Sequence, residues 1–267
     1  MTEHIDPKTV YDQAAQDYRE HMVDPALSPL HDYYEKPAMH ALLPALGGLS
    51  IINLGCGTGE DAQWLTDAGA TKVTAIDLSE GQIAIAQHNY PTVDFKVMDI
   101  SKLDYPDESF DVAYSSLTMH YVRDWGGAFN EVHRILKNGG RFIFSCIHPL
   151  ESALDYSVDE QQRQATYGRV ISNSDQRRTI VGDYLSLDES GIRPIKRTIA
   201  GIHEVEYYHR PFSVMVRSIL AGQFTIAGTV EPAPDERMKK DNPEHYKQVY
   251  QQPKFIIWDL RKGSKNI

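Results

Sequence analysis

The stretch Ile51-Ile52-Asn53-Leu54-Gly55-Cys56-Gly57-Thr58-Gly59-Glu60 is an apolar run that breaks into a turn with glycine at every second position. Glycine carries no Cβ, so such a turn adopts backbone conformations closed to other residues and lets a bulky charged ligand approach the main chain. About one strand-helix unit later, Ala75-Ile76-Asp77-Leu78-Ser79 reads as a second strand that ends in one carboxylate. A carboxylate there can accept from both hydroxyls of a ribose. The two segments together predict an α/β fold that holds a nucleoside-containing ligand at its strand ends.

Working outward, the alternation is regular. Strands are expected at 50–54, 72–76, 93–97, 110–115 and 141–147, with helices at 59–68, 79–88 and 124–136 between them. Ser79 followed by Glu80 is a helix start, and Lys137-Asn138-Gly139-Gly140 reads as a helix stop that launches the fifth strand. Five strands joined by short crossovers imply a parallel sheet with helices on both faces. Ahead of it, Val10, Tyr11, Ala14, Ala15, Tyr18 and Met22 recur at helical spacing over 8–24, and a second helix is expected over 32–46. After Pro149 the segment 151–200 is polar and poorly periodic, with short β-like pieces at 168–171, 179–181 and 195–200; its length suggests a lid or flap. A strand over 201–209, a helix from Pro211 to 220 and strands at 223–230 and 254–260 complete the chain. The expected division is a helical cap (1–48), a Rossmann-like domain (49–149 and 211–262) and an insertion (150–210) that forms a lid or acceptor-binding subdomain.

Composition narrows the class. The chain has 267 residues, 41% hydrophobic and 24% charged, which suits one α/β domain with an elaboration. Its 27 Lys and Arg against 37 Asp and Glu give a formal charge of -10, which disfavours a phosphate-backbone partner. Two cysteines, Cys56 and Cys146, read as small buried side chains in a reducing compartment, with neither a disulfide framework nor a metal site. No stretch has the length and apolarity of a membrane span, and the N-terminus has no basic apolar signal, so a cytoplasmic location is expected.

Several segments resemble, in order, the motifs of the class I S-adenosylmethionine-dependent methyltransferases. They are Leu54 to Gly59, Asp77, Met98-Asp99-Ile100, Phe110 to Tyr114, Leu117 to Val122 and Leu136 to Arg141, strongest over 45–148. The resemblance is to the small-molecule branch, like methyltransferase type 11 and the ubiquinone and menaquinone biosynthesis methyltransferases. It implies a Rossmann-like fold with a seven-stranded, mostly parallel sheet and an antiparallel last strand, 254–260 lying between the fifth strand and 223–230. It also implies S-adenosylmethionine as cofactor. Gly55, Cys56, Gly57 and Gly59 would then pass beneath the methionine part, Asp77 would hold the ribose, and Leu78 would lie against the adenine. Asp99 would meet the adenine amino group, Ile100 would pack on the ring, Ser115 would stand near the cofactor amino group, and Tyr11 and Tyr18 would cap the site.

Methyl transfer from a sulfonium is an in-line displacement with an activated donor, so the protein mainly aligns the reactants and no metal is required. An acceptor that carries a proton also needs a base. The candidates are His120 after the fourth strand, His148 at the end of the fifth, and His203 beyond the flap; Tyr33, His120, His148, Tyr207 and Arg210 are candidate acceptor contacts. Each also has a plainer reading. His120 could cap the following helix, the face of His203, Tyr207 and His209 could be an ordinary strand face, and Arg210 before Pro211 could mark a helix start. The functional expectation is transfer of a methyl group to a small organic acceptor, with no nucleic acid or membrane partner and the oligomeric state open. A non-catalytic S-adenosylmethionine-binding regulatory protein is one alternative. An NAD-dependent oxidoreductase is another, disfavoured by Glu60 where a pyrophosphate would meet the helix N-terminus.

Overall fold

The computed structural model describes residues 6–23, 30–153, 168–171, 178–181, 184–199, 203–251 and 253–263. Strands β1 (Ser50–Leu54), β2 (Lys72–Asp77), β3 (Asp94–Val97), β4 (Phe110–Ser115) and β5 (Leu136–Ile147) are mutually parallel. Two antiparallel hairpins follow: β6 (Gly168–Ile171) with β7 (Arg178–Val181), and β8 (Arg193–Ile199) with β9 (His203–His209). Strands β10 (Phe224–Val230) and β11 (Phe255–Lys262) then close a seven-stranded sheet ordered β10-β11-β5-β4-β1-β2-β3. β11 is antiparallel to both neighbours and lies between β5 and β10, as the resemblance implies. Its register is pinned by Arg141, which reaches both carboxylate oxygens of Asp259 at 3.1 and 2.8 Å.

Helices cover both faces because alternate residues of the central strands are apolar on both sides. On one face Phe142, Phe144 and Trp258 pack with Phe129 of a helix spanning Trp125–Ile135 and Ile219 of another spanning Phe212–Ala221. On the other, Ile51, Val112 and Ile143 pack with Leu65 and Ile83, from helices spanning Glu60–Asp67 and Glu80–Asn89. Among the described residues no helix is long and apolar enough to cross a membrane.

Three local expectations change. The single helix over 8–24 is two, Pro7–Gln13 and Ala15–Val23, parted at Ala14, whose φ and ψ are -93° and 4°. Tertiary docking outweighs helix propensity there: Asp12 accepts from Ser79 Oγ at 2.6 Å and from the Gly81 amide at 3.0 Å, capping the helix Glu80–Asn89 from outside. The helix over 32–46 is a π-helical turn, His31–Glu35, continuing into a short helix, Lys36–Leu42. It ends early because Leu43 precedes Pro44, and that ring pushes it to an extended backbone, φ -68° and ψ 141°. Finally, the helix stop at 137–140 lies inside β5. Leu136 pairs with Phe110 and Arg141 with Val112, the extra residues bulging out through Gly139 at φ 76°.

Candidate functional site

A cavity of about 470 Å³ opens at the C-terminal ends of the parallel strands, where β1 lies between β2 and β4 and the strand order reverses. Open α/β sheets leave a crevice at this switch point. Its wall begins at the turn after β1. Gly55 has φ +68°, and a Cβ on it would stand 2.2 Å from the side chain of Thr118, so only glycine lets the loop after β4 close on this turn. Thr118 Oγ1 donates to the Gly55 carbonyl at 3.1 Å, locking the two together.

Asp77, at the end of β2, faces this turn across the cavity wall. Its Oδ2 accepts from the Gly57 amide at 2.9 Å and its Oδ1 from the Ser79 amide at 2.9 Å. Burial raises its pKa, and the amides of Ser79, Gly57 and Leu78 offset part of that rise. Leu78 is a large apolar side chain left 42% exposed beside it, while Asp99 and Ile100 line the same cavity after β3. Asp99 Oδ1 accepts from the Ser101 amide at 2.7 Å. The roof is aromatic. Tyr11 stands edge-on to Tyr18 at 5.2 Å and to Tyr121 at 5.6 Å, and its hydroxyl donates to that of Tyr121 at 2.9 Å. Burial holds the Tyr11 and Tyr18 phenols well above their ordinary pKa, so both stay neutral.

The cavity thus gathers Tyr11, Tyr18, Gly55, Cys56, Gly57, Asp77, Leu78, Asp99 and Ile100. Gly59 and Ser115 are not in its lining. Gly59 has φ +96°, and a Cβ there would meet Phe95 at 2.8 Å, so it serves the packing of the turn against β3. Ser115 is fully buried and donates to the Leu54 carbonyl at 2.9 Å.

The acceptor-side candidates are dispersed. His148 caps a one-turn helix, Pro149–Ser152: its Nδ1 accepts from the Leu150 amide at 3.1 Å, so its proton is on Nε2, which donates to Glu231 at 3.0 Å. His120 is buried against Tyr121 and Tyr207, ring centroids at 4.2 and 5.8 Å, and Tyr207 is buried in turn. Tyr33 donates to Asp241 at 3.2 Å beneath Arg237. His203 opens β9, and its side chain lies outside the described residues. Arg210 is buried and donates to the carbonyls of Val122, Arg123 and Tyr208, over the Trp125 ring at 4.7 Å. Burial lowers its pKa to about 10. It therefore clamps the loop after β4, and Val122 and Arg123 of that loop line the cavity. None of Tyr33, His120, His148, Tyr207 or Arg210 is itself in the cavity lining.

Two side chains not anticipated from the sequence stand out. Gln82 lies in the wall, and neither end of its amide has a hydrogen-bond partner among the described residues. Glu35, fully buried, accepts at Oε1 from Ser116 at 3.0 Å and Ser145 at 2.5 Å. Its spacing in the sequence gave no sign of this, since the π-helical turn that points it inward replaces an ordinary helix.

A family model described as a methyltransferase domain matches residues 52–144. The crystal structure of an S-adenosylmethionine-dependent methyltransferase from Mesorhizobium loti is 32% identical, covers 84% of this chain and 96% of its own, and superposes with a TM-score of 0.66. This chain belongs to the S-adenosylmethionine-dependent methyltransferases. An uncharacterized protein of Haemophilus influenzae is 27% identical over 88% of this methyltransferase and 90% of its own length. A malonyl-[acyl-carrier protein] O-methyltransferase of Pseudescherichia vulneris is 32% identical over 44% of the chain, which spans about half (47%) of that relative. The methyltransferase has the Rossmann-like fold of its family and takes S-adenosylmethionine as cofactor.

Proposed function

We propose that this methyltransferase transfers the methyl group of S-adenosylmethionine to a small organic acceptor, releasing S-adenosylhomocysteine. The observation that carries the reading is the cavity itself, lined by Asp77, Asp99 and the Gly55–Gly57 turn together with Gln82, whose buried amide has no hydrogen-bond partner among the described residues. An orphaned buried amide costs about 1–3 kcal/mol, which a polar ligand recovers. Asp77 would hold the ribose hydroxyls, Leu78 and Ile100 would sandwich the adenine, Asp99 would accept from its amino group, and Gln82 would complete the polar wall. Tyr11 and Tyr18 would form a neutral aromatic roof that excludes water.

The bound cofactor supplies an activated methyl group on a positively charged sulfur. The protein then has to orient the acceptor, keep water out and remove any proton the acceptor carries. We assign the N-terminal helices and the 150–210 insertion to the acceptor end, as a cap and a lid, on the support of Tyr11 at the roof and Tyr208 of β9 in the cavity wall. The two cysteines are free and buried, which supports a reducing, cytoplasmic setting.

NAD is disfavoured by Glu60. Its carboxylate stands in the first turn of the helix Glu60–Asp67 and lines the cavity, where a pyrophosphate would need positive potential. Calorimetry with S-adenosylhomocysteine and NAD tests the reading: the first should bind at micromolar or tighter concentrations and the second should not. Binding of NAD alone would sink it.

A further inference from the structure

Glu35 is the most deeply buried carboxylate near the site, with no exposed surface, and none of its contacts is needed for the cofactor assignments above. Ser145 of β5 accepts from the Leu117 amide at 2.8 Å, so its hydroxyl proton points at Glu35 Oε1. Leu117 is held at φ +47° to make that bond, a strained conformation for a branched residue. Ser116, the neighbour of Leu117, donates to the same Oε1 and lines the cavity. Glu35 Oε2 is buried without a hydrogen-bond partner among the described residues. A chain thus runs from the cavity, through one hydroxyl, to one carboxylate.

We infer that Ser116 and Glu35 form a proton relay for the acceptor, and that the acceptor is therefore one whose methylated atom carries a proton: a hydroxyl, a thiol or a protonated amine. The inference rests on the methyl-transfer reading above and narrows it. In the step, the acceptor's proton passes to Ser116 Oγ as the Ser116 proton passes to Glu35 Oε1. The electron pair left on the acceptor atom forms the new bond to the methyl carbon, and the breaking carbon–sulfur pair stays on sulfur. Glu35 ends neutral and, once the product has left, returns the proton through Ser116 to water in the cavity before the next turnover. Glu35 acts through Ser116 and is a positioning residue, whereas Ser116 meets the acceptor.

The electrostatics agree. Burial, then the nearby Asp61, push the Glu35 carboxyl up to about 7, against the lowering effect of Ser145, Ser116 and Lys36. The groups facing it are Asp61 from the helix Glu60–Asp67, Lys36 from the helix Lys36–Leu42, the buried phenol of Tyr114 from β4, and the neutral hydroxyl of Ser145 from β5. A base poised near the working pH is the efficient kind.

The test uses the full chain, with infrared difference spectra between pH 5 and 9 of the wild type, Glu35→Gln and Ser116→Ala. A protonated-carboxyl band that fades near pH 7, is missing in Glu35→Gln and titrates at a higher pH in Ser116→Ala supports the relay. Absence of that band from the wild-type minus Glu35→Gln difference overturns it, as does a midpoint that ignores Ser116→Ala. S-adenosylhomocysteine affinity within about threefold of wild type shows that both variants are folded; a wild type that fails to bind it defeats the methyl-transfer reading instead. A panel of phenols, thiols and primary amines then reads turnover. For any acceptor used, kcat/KM should rise with pH through the same ionisation, and Glu35→Gln should lose about 100-fold or more in kcat and the pH dependence with it. Unchanged kcat in Glu35→Gln overturns the inference.

Discussion

The proposed donor side and the proposed acceptor side of the cavity are built by different means. On the donor side, the glycine turn, Asp77 and Asp99 follow three consecutive strands, and each functional group sits within a few residues of a strand end. On the acceptor side, Glu35 comes from the N-terminal segment, Ser116 from the loop after β4 and Ser145 from β5, separated by 81 and 110 residues from Glu35. Local chain geometry fixes the first arrangement, and tertiary packing fixes the second. Substitutions on the donor side should therefore act chiefly on binding, and those on the acceptor side on folding and proton chemistry together.

The largest effect is expected at Asp77. Asp77→Ala removes the acceptor for the Gly57 and Ser79 amides and, on the proposed assignment, both ribose contacts. At about 1.5–3 kcal/mol for each hydrogen bond to a charged group, affinity for S-adenosylhomocysteine should fall about 1,000-fold. A loss below tenfold by calorimetry would remove Asp77 from the ribose site.

Next is Glu35. Its ordinary pKa of 4.5 is raised to about 7 in the folded chain. Below pH 4.5 both states are neutral and nothing is lost. Between 4.5 and 7 the unfolded chain ionises while the folded one keeps its proton, so stability falls as pH rises, by about 3 kcal/mol in total. Glu35→Gln should abolish this fall, gaining on the wild type between pH 4 and pH 8 in urea unfolding. Parallel pH profiles for the two proteins would mean that Glu35 does not titrate in this window.

The same contrast explains what the sequence made legible. Alternation of strand and helix and even the short β pieces near 168 and 179 could be read because each depends on local sequence, whereas the antiparallel ending followed only from the family resemblance. The break at Ala14 could not, because it depends on Asp12 reaching a helix end 67 residues away. Histidine was a natural choice of base from side-chain chemistry, yet the neighbours of His120 are aromatic rings and those of His148 are a helix amide and Glu231. A buried glutamate announces itself only through desolvation, which no spacing rule encodes.

Asp12 joins the two sides, because it ties the aromatic roof to the helix that follows Asp77. Burial alone would raise its pKa, but hydrogen bonds from Lys8, Ser79 and Gly81 outweigh that and hold it at about 2. Its contribution is complete above pH 3.8 and is lost as pH falls through about 2. Asp12→Ala should cost about 1–2 kcal/mol, the usual range for a helix cap, and should raise the dissociation rate of S-adenosylhomocysteine by loosening Tyr11. Stopped-flow release with an unchanged rate would separate the cap from the roof.

The smallest effect is expected at His148, where it is most discriminating. The Nδ1 lone pair that caps the helix Pro149–Ser152 exists only in the neutral ring, and burial lowers the pKa of this histidine despite the opposing carboxylate of Glu231. A depressed folded pKa means that the contribution is present above the ordinary value of 6.5 and is lost as pH falls through the folded one. His148→Ala should thus cost about 1 kcal/mol at pH 8 and less at pH 5, by urea unfolding at both. Cofactor affinity should stay within twofold, and turnover of any acceptor found should keep its pH profile. A histidine acting as the base would give the reverse pattern, with stability little changed and the acid limb of kcat/KM, its rise with pH, abolished. Because Glu35→Gln is expected to remove that limb and His148→Ala to leave it, the pair of profiles decides which side chain receives the proton.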